Sequence, residues 1–219
     1  MPISNCNPVV QANISRKQDN AKAADNIRWL CEHSDVHMHV DLIAGLPGET
    51  VESFAEGFDK LWALGPHEIQ FGILKRLRGT PIIRHTQEFG MVYDPYPPYT
   101  ILANRDIDFS TMQRLVRFAR YWDLVANSGR FTHTVPVLLG ETPFKSFMAF
   151  SDWLYANTDA THRIALDRLA VMVGRWLGVA GMDPAAVAEL LARDGHGVKQ
   201  KAAAPASAAP ARQARHLAA

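Results

Sequence analysis

Apolar residues recur at helical spacing between Arg16 and Glu32, where Ala23, Ile27, Leu30 and Cys31 fall on one side and predict an amphipathic helix. The pattern then changes. From about Met38 to Ala44 the chain is a short, largely apolar run that predicts a strand, and Gly45-Leu46-Pro47-Gly48 reads as a turn. Thr50 is placed to cap a second helix, with Glu49 and Glu52 at its positive end. Its apolar stripe is Val51, Phe54, Phe58, Leu61 and Trp62, and Gly65-Pro66 stops it. Residues 68–74, "EIQFGIL", predict another strand. Strand, helix and strand in so short a span make a βαβ unit, so the two strands are expected to be parallel with a right-handed crossover.

Alternation along these strands separates two faces. Val40 and Leu42 share one, and His39, Asp41 and Ile43 the other. In the next strand Ile69, Phe71 and Ile73 oppose Gln70, Gly72 and Leu74. The apolar faces are expected to take the helices. The opposite faces look towards something partly polar. Helices on one side and a mixed inner face predict an α/β fold of barrel or open-barrel type around a ligand cavity.

Residues 91–102, "MVYDPYPPYTIL", are punctuated by Pro and Tyr and predict an extended connector. Beyond it the pattern is helical to about residue 194. "STMQRLVRFARYWDLVAN" carries Met112, Leu115, Val116, Ala119, Trp122 and Leu124 on a broad stripe, with Ser110 or Asp108 as cap. "PFKSFMAFSDWLYANT" and "THRIALDRLAVMVGRWLG" predict two more helices. "DPAAVAELLARDG" predicts a short one, with Asp183 as cap, Pro184 at the first helical position and Gly195 at the end. The Ala/Pro-rich stretch 196–219 lacks core-forming residues and is expected to be a disordered tail.

Composition narrows the class. The 219 residues are 47% apolar and 21% charged, as in ordinary globular proteins. Lys+Arg 23 against Asp+Glu 22 leaves no global field, which argues against a dedicated polyanion binder while leaving room for a local basic patch. No apolar run approaches the roughly 20 residues of a membrane span, and the N-terminus has no signal pattern, so a cytoplasmic protein without a membrane partner is expected. Cys6 and Cys31 lie far apart and form neither a disulfide framework nor a metal-cluster motif, so both are expected to be reduced thiols.

Asp41 is the residue that asks for an explanation, because a carboxylate within an apolar strand is costly unless it is hydrogen-bonded or paired. "HVDLIAGLPGETVESF" followed by "HEIQFGILKRLRGTPI" resembles the later part of the radical S-adenosylmethionine (radical SAM) barrel: strand, G-L-P-G-E-T turn, helix, strand and G-T-P in order. The helices beyond, with "RLVRFARYWDLV" and "SFMAFSDWLY", resemble the uncharacterised C-terminal domain attached to one group of cobalamin-binding radical enzymes. The resemblance covers roughly residues 7–195. It implies a partial radical SAM (β/α) barrel over 1–98, a helical C-terminal domain over 99–195 and the tail over 196–219. It also implies that Asp41 lies on the inner face and helps hold S-adenosylmethionine, that the Ile43 backbone packs beside the adenine, and that Lys75 comes to the cavity rim. Lys75, Arg76 and Arg78 would face the substrate or the remainder of the barrel. On the residues alone a second reading stands beside this one, in which Asp41 caps a neighbouring loop in a packed interior.

The sequence departs from that family at the centre of its chemistry. A radical SAM [4Fe–4S] cluster needs three closely spaced cysteines, usually C-x-x-x-C-x-x-C, and this sequence has no such run. The early βα units, the Gly-Gly-x cofactor loop and the cobalamin domain are also missing. The expectation is the C-terminal portion of a longer enzyme, from a split or truncated gene, with the N-terminal half as partner. Such a portion would generate no radical alone, and [4Fe–4S] and cobalamin would belong to a complete family member. The alternative class is a non-catalytic interaction module or an RNA-binding fragment.

Other patterns carry less. His37-x-His39 places two imidazoles on one side of a strand, as metal ligands are, without an evident third ligand. Lys75, Arg76 and Arg78 with Arg84 suit phosphate or RNA, or simply a solvated loop. Tyr93, Tyr96 and Tyr99 suit a pocket mouth or a packed linker. Phe144, Phe147, Phe150, Trp153 and Tyr155 are expected to be core.

Overall fold

Three parallel strands in the order β1-β2-β3 carry the N-terminal half: β1 (Pro2–Ser4), β2 (His39–Ala44) and β3 (Glu68–Ile73). The computed structural model describes residues 2–196, so the expected tail beyond His196 lies outside the described residues. The fold is mixed α/β, and among the described residues the sheet does not close into a barrel.

The βαβ unit forms as its pattern predicts. Helix α3 (Val51–Trp62) starts where the Thr50 hydroxyl accepts the Ser53 amide, and it buries Phe54, Phe58 and Leu61. Strand β2 alternates strictly, with Val40, Leu42 and Ala44 buried and His39, Asp41 and Ile43 half-buried. β1 and α1 (Pro8–Asn13) are absent from the sequence expectations because three and six residues are too few to show a period. α1 is fixed by its cap: Asn7 accepts the Val9 amide, with Pro8 in the first turn. Helix α2 (Asn20–His33) begins later than Arg16, because Asp19 caps it through the Lys22 amide.

After β3 the chain departs from the expected connector. Lys75 bridges Thr100 in antiparallel fashion, and the segment contains a two-stranded antiparallel ribbon, β4 (Val92–Tyr93) and β5 (Ile101–Ala103). The switch in pairing also moves Leu74, expected with Gln70 and Gly72 on the mixed face, into the core. A 3-10 turn spans Pro81–His85.

Helices α4 (Phe109–Val125), α5 (Thr134–Leu139), α6 (Pro143–Thr158), α7 (Leu166–Val179) and α8 (Pro184–Arg193) complete the chain. Asp108 caps α4 through the Thr111 amide, and Asp183 caps α8 as expected. The α4 face is rotated from the expected stripe: Phe118, Tyr121 and Val125 are buried, while Val116, Ala119 and Leu124 are only partly so. α7 begins five residues later than the quoted pattern, at Leu166.

Helix α4 packs on the same face of the sheet as α3, α6 packs against both of these helices, and α7 packs on α6. Ring centroids lie 4.8 Å apart for Phe58–Trp122, Phe71–Phe118 and Phe118–Phe147, joining α3, β3, α4 and α6 in one aromatic cluster. Spacings of this size suit edge-to-face and offset pairs. Phe144, Phe147 and Phe150 are core as expected, and Trp153 and Tyr155 pack partly buried against it. Trp122 Nε1 donates to the Ile69 carbonyl at 2.9 Å and Asn127 Nδ2 to the same oxygen at 3.0 Å, so the end of α4 covers the edge of β3. No helix among the described residues is long and apolar enough to cross a membrane.

Candidate functional site

With the helices gathered on one face, the other face of the sheet carries polar groups in rows. Parallel register sets His39 beside Glu68, Asp41 beside Gln70 and Ile43 beside Gly72. Over these rows lies an open cleft of about 500 Å³, which Asp123 and Asn127 also line from the end of α4. The Asp41 side chain lies in it, half-buried, with no hydrogen bond or ion pair among the described residues. It therefore caps no loop there, and its four lone-pair directions are available to a ligand. A Cβ at Gly72 would meet only ordinary contacts, 3.5 Å to the Leu42 carbonyl and 3.6 Å to Ile43. Packing does not demand this glycine, and its bare backbone leaves the floor of the cleft wide.

At the C-terminal end of β2 the turn is tightly specified. Gly45 has φ +89°, and a Cβ on it would stand 2.8 Å from Ile101 and 3.1 Å from Met112. Ile43 also reaches a smaller depression of about 200 Å³ formed with Ile14, Leu46 and residues of the Thr80–His85 segment. Arg84 holds that segment over the strand ends by donating to the Asn13 carbonyl at 3.2 Å and to Ser15 Oγ at 2.7 Å.

The basic residues are not in the cleft. Lys75 is exposed on the antiparallel bridge to Thr100. The Arg76 guanidinium lies 5.1 Å from the Tyr93 ring centroid, and Arg78 donates to the Tyr99 hydroxyl at 3.4 Å. Burial raises the Tyr93 phenol above its usual value, with Arg76 opposing. Asp41 and Ile43 are thus together, while Lys75, Arg76 and Arg78 form a separate group with two of the three linker tyrosines.

Glu49 is the residue the pattern missed. Expected as a partner for the α3 dipole, it is fully buried, and the Asn5 amide donates to its Oε1. Its Oε2 has no hydrogen-bond partner among the described residues. Burial pushes the carboxyl up to about 8, against hydrogen bonds from Asn5 and the Leu46 region that pull it down. Nothing local signals this, because Asn5 is 44 residues away.

The His37-x-His39 pair gains the third donor its sequence lacked. Pairing of β2 with β3 brings Glu68 between the two imidazoles, with Oε1 3.0 Å from His37 Nε2 and Oε2 2.8 Å from His39 Nδ1. The cysteines gain nothing comparable. Cys6 Sγ lies against the Gly57 carbonyl at 3.9 Å, with its thiol raised by burial, and Cys31 is a free, partly buried thiol. Among the described residues no cysteine joins a group able to hold a metal or an iron–sulfur cluster.

The family described as "Protein of unknown function (DUF4080)" matches residues 87–214, more than half of the chain. A search of curated proteins finds no match.

Proposed function

The chain belongs to the DUF4080 family, and from that premise we propose that it is the C-terminal part of a radical SAM enzyme of the cobalamin-dependent type. In this proposal β1, β2 and β3 are the last strands of a partial (β/α) barrel. The observation that carries it is the position of Asp41: a carboxylate without a partner among the described residues, on the open face of a parallel sheet whose other face is closed by helices. S-adenosylmethionine offers hydroxyls and an ammonium to such a carboxylate, and charge-assisted hydrogen bonds would offset its desolvation. Ile43, on the same face two residues on, supplies an apolar surface for the adenine. Helix α4 covers the far side of the sheet, and its end reaches the cleft through Asp123 and Asn127. Lys75, Arg76 and Arg78, at the end of β3, meet the substrate or the N-terminal half of the enzyme.

The residues of this chain do not fit a [4Fe–4S] cluster, as Cys6 is directed at α3 and no thiol group is gathered. No step through the cluster or through cobalamin is assigned to this chain. Both groups belong to the N-terminal half, which would pair with the outer edge of β1 and close the cleft.

The reading frame upstream should encode a C-x-x-x-C-x-x-C half. Co-expressed with it, the assembled protein should bind S-adenosylmethionine in a calorimetric titration. Asp41→Asn should weaken that binding by about tenfold to a hundredfold, the equivalent of one hydrogen bond to a charged group at roughly 1.5–3 kcal/mol, with iron content unchanged. Unaltered affinity in the variant overturns the site. An upstream region with no cysteine-bearing half overturns the fragment reading.

A further inference from the structure

We propose that His37, His39 and Glu68 form a binding site for a first-row divalent transition-metal ion of the zinc or cobalt type, at the N-terminal end of the open face of the sheet. The site needs only β2, its approach and β3. It stands apart from the S-adenosylmethionine proposal.

The backbone sets up the cluster. His37 and His39 are two apart as the chain enters β2, and Glu68 opens β3 directly beside His39 in the parallel register. The two strand entries are tied together: the Glu68 amide donates to the Met38 carbonyl at 3.1 Å, and the Met38 amide donates to His67 Nδ1 at 3.0 Å. Three side chains on ordered, hydrogen-bonded backbone are largely positioned before any ion arrives.

The donor atoms are already close. The two His nitrogens and a Glu68 oxygen all lie within 4.8 Å of one another. Donors around a tetrahedral ion at zinc–ligand distances stand roughly 3.3–3.6 Å apart, so small rotations of three partly exposed side chains complete the geometry. Two imidazoles and one carboxylate are the donor mix that favours zinc-like ions, whereas calcium and magnesium take oxygen ligands. Two histidines with one glutamate also leave a fourth position for water. The 57% exposure of the His37 side chain keeps that position open to solvent.

His67 is a buttress and not a fourth ligand. Its ring lies 4.8 Å from that of His37, and its Nδ1 accepts the Met38 amide, which leaves Nε2 carrying the proton. The competing description is a solvent-exposed hydrogen-bonded triad that adds little to stability and takes up no metal. The two descriptions separate cleanly in a binding experiment.

The untagged, chelator-stripped full chain is titrated with zinc by calorimetry and with cobalt(II) by visible absorption. One equivalent of zinc should bind, and cobalt should show the intense visible bands of four- or five-coordination. Loss of a hydrogen-bonded outer ligand alone costs 10–100-fold in metal affinity, so His39→Ala and the near-isosteric Glu68→Gln should each lose more than about a hundredfold. His162→Ala, remote from the cluster, should bind as the parent does. Zinc should raise the melting temperature of the parent and of His162→Ala, and leave that of Glu68→Gln unmoved. No saturable zinc binding by the parent, or equal affinity in Glu68→Gln, overturns the site.

Discussion

Asn5 donates to Glu49 in a fully buried site, and the second carboxylate oxygen of Glu49 has no hydrogen-bond partner among the described residues. The fold therefore favours the protonated acid, whose pKa rises from 4.5 to about 8. A folded-state value above the unfolded one gives stability that is complete below about pH 4.5 and is lost as pH climbs through about 8.

Glu49→Gln removes that titration while keeping an acceptor for Asn5. The stability difference between parent and variant should shift in favour of the variant by roughly 3–5 kcal/mol between pH 4 and pH 8. Urea unfolding followed by circular dichroism at each pH measures it, and taking the difference cancels the other titrating groups. A pH-independent difference would show that Glu49 is ionised in the fold and hydrated there.

Gly45 carries both a backbone and a packing requirement. Its φ of +89° disfavours any side chain, and a Cβ would press on Ile101 and Met112 at 2.8 and 3.1 Å. Gly45→Ala should cost about 2–4 kcal/mol, from left-handed strain and overpacking together. Gly65→Ala is the matched control: φ is +69° there, but nothing lies within 4 Å of the added methyl. It should cost only the backbone share, about 1–2 kcal/mol. Equal losses in the two variants would remove the packing contribution.

Asp194 closes the helical half. Its carboxylate accepts the His133 amide at 2.8 Å, the Thr134 amide at 3.0 Å and the Thr134 hydroxyl at 2.6 Å, capping α5 from about sixty residues away. Asp194→Ala should cost about 1–2 kcal/mol, as loss of a helix cap does. Thr134→Val added to it should then cost less than in the parent, because the shared hydrogen bond is already gone. Additive losses in a thermal-unfolding cycle would mean that the cap does not act through Thr134.

The parts of this fold that were legible are those written in neighbouring residues. The alternation of Val40 and Leu42 against His39 and Asp41, the Thr50 cap and the Phe54–Phe58–Leu61 stripe each act within a few positions, and each is found. What was hidden depends on chain segments meeting. Glu68 becomes a neighbour of two histidines only through the β2–β3 register, and Glu49 meets Asn5 only when two segments 44 residues apart come together. α5 is too short for a period, and its cap comes from Asp194. In α4 the buried face turns towards Phe118 and Tyr121, because Phe118 meets both Phe71 of the sheet and Phe147 of α6.

The two faces of β2 make a last contrast. Val40 is fully buried beneath the helices, while Asp41, the next residue, stands half-buried in the open cleft with no partner among the described residues. Removing two buried methyls with Val40→Ala should cost about 2–3 kcal/mol, from lost burial and an incompletely filled cavity. Asp41→Asn breaks no hydrogen bond or ion pair, so it should change stability by no more than about 0.5 kcal/mol, the range of surface substitutions away from special features. Denaturant melts of the two variants at one pH read both values. A loss above about 1.5 kcal/mol in Asp41→Asn, the worth of a charged hydrogen bond, would mean that the carboxylate serves the fold. The cleft would then have no carboxylate kept free for a ligand, and the case for a cofactor there would lose the residue it rests on.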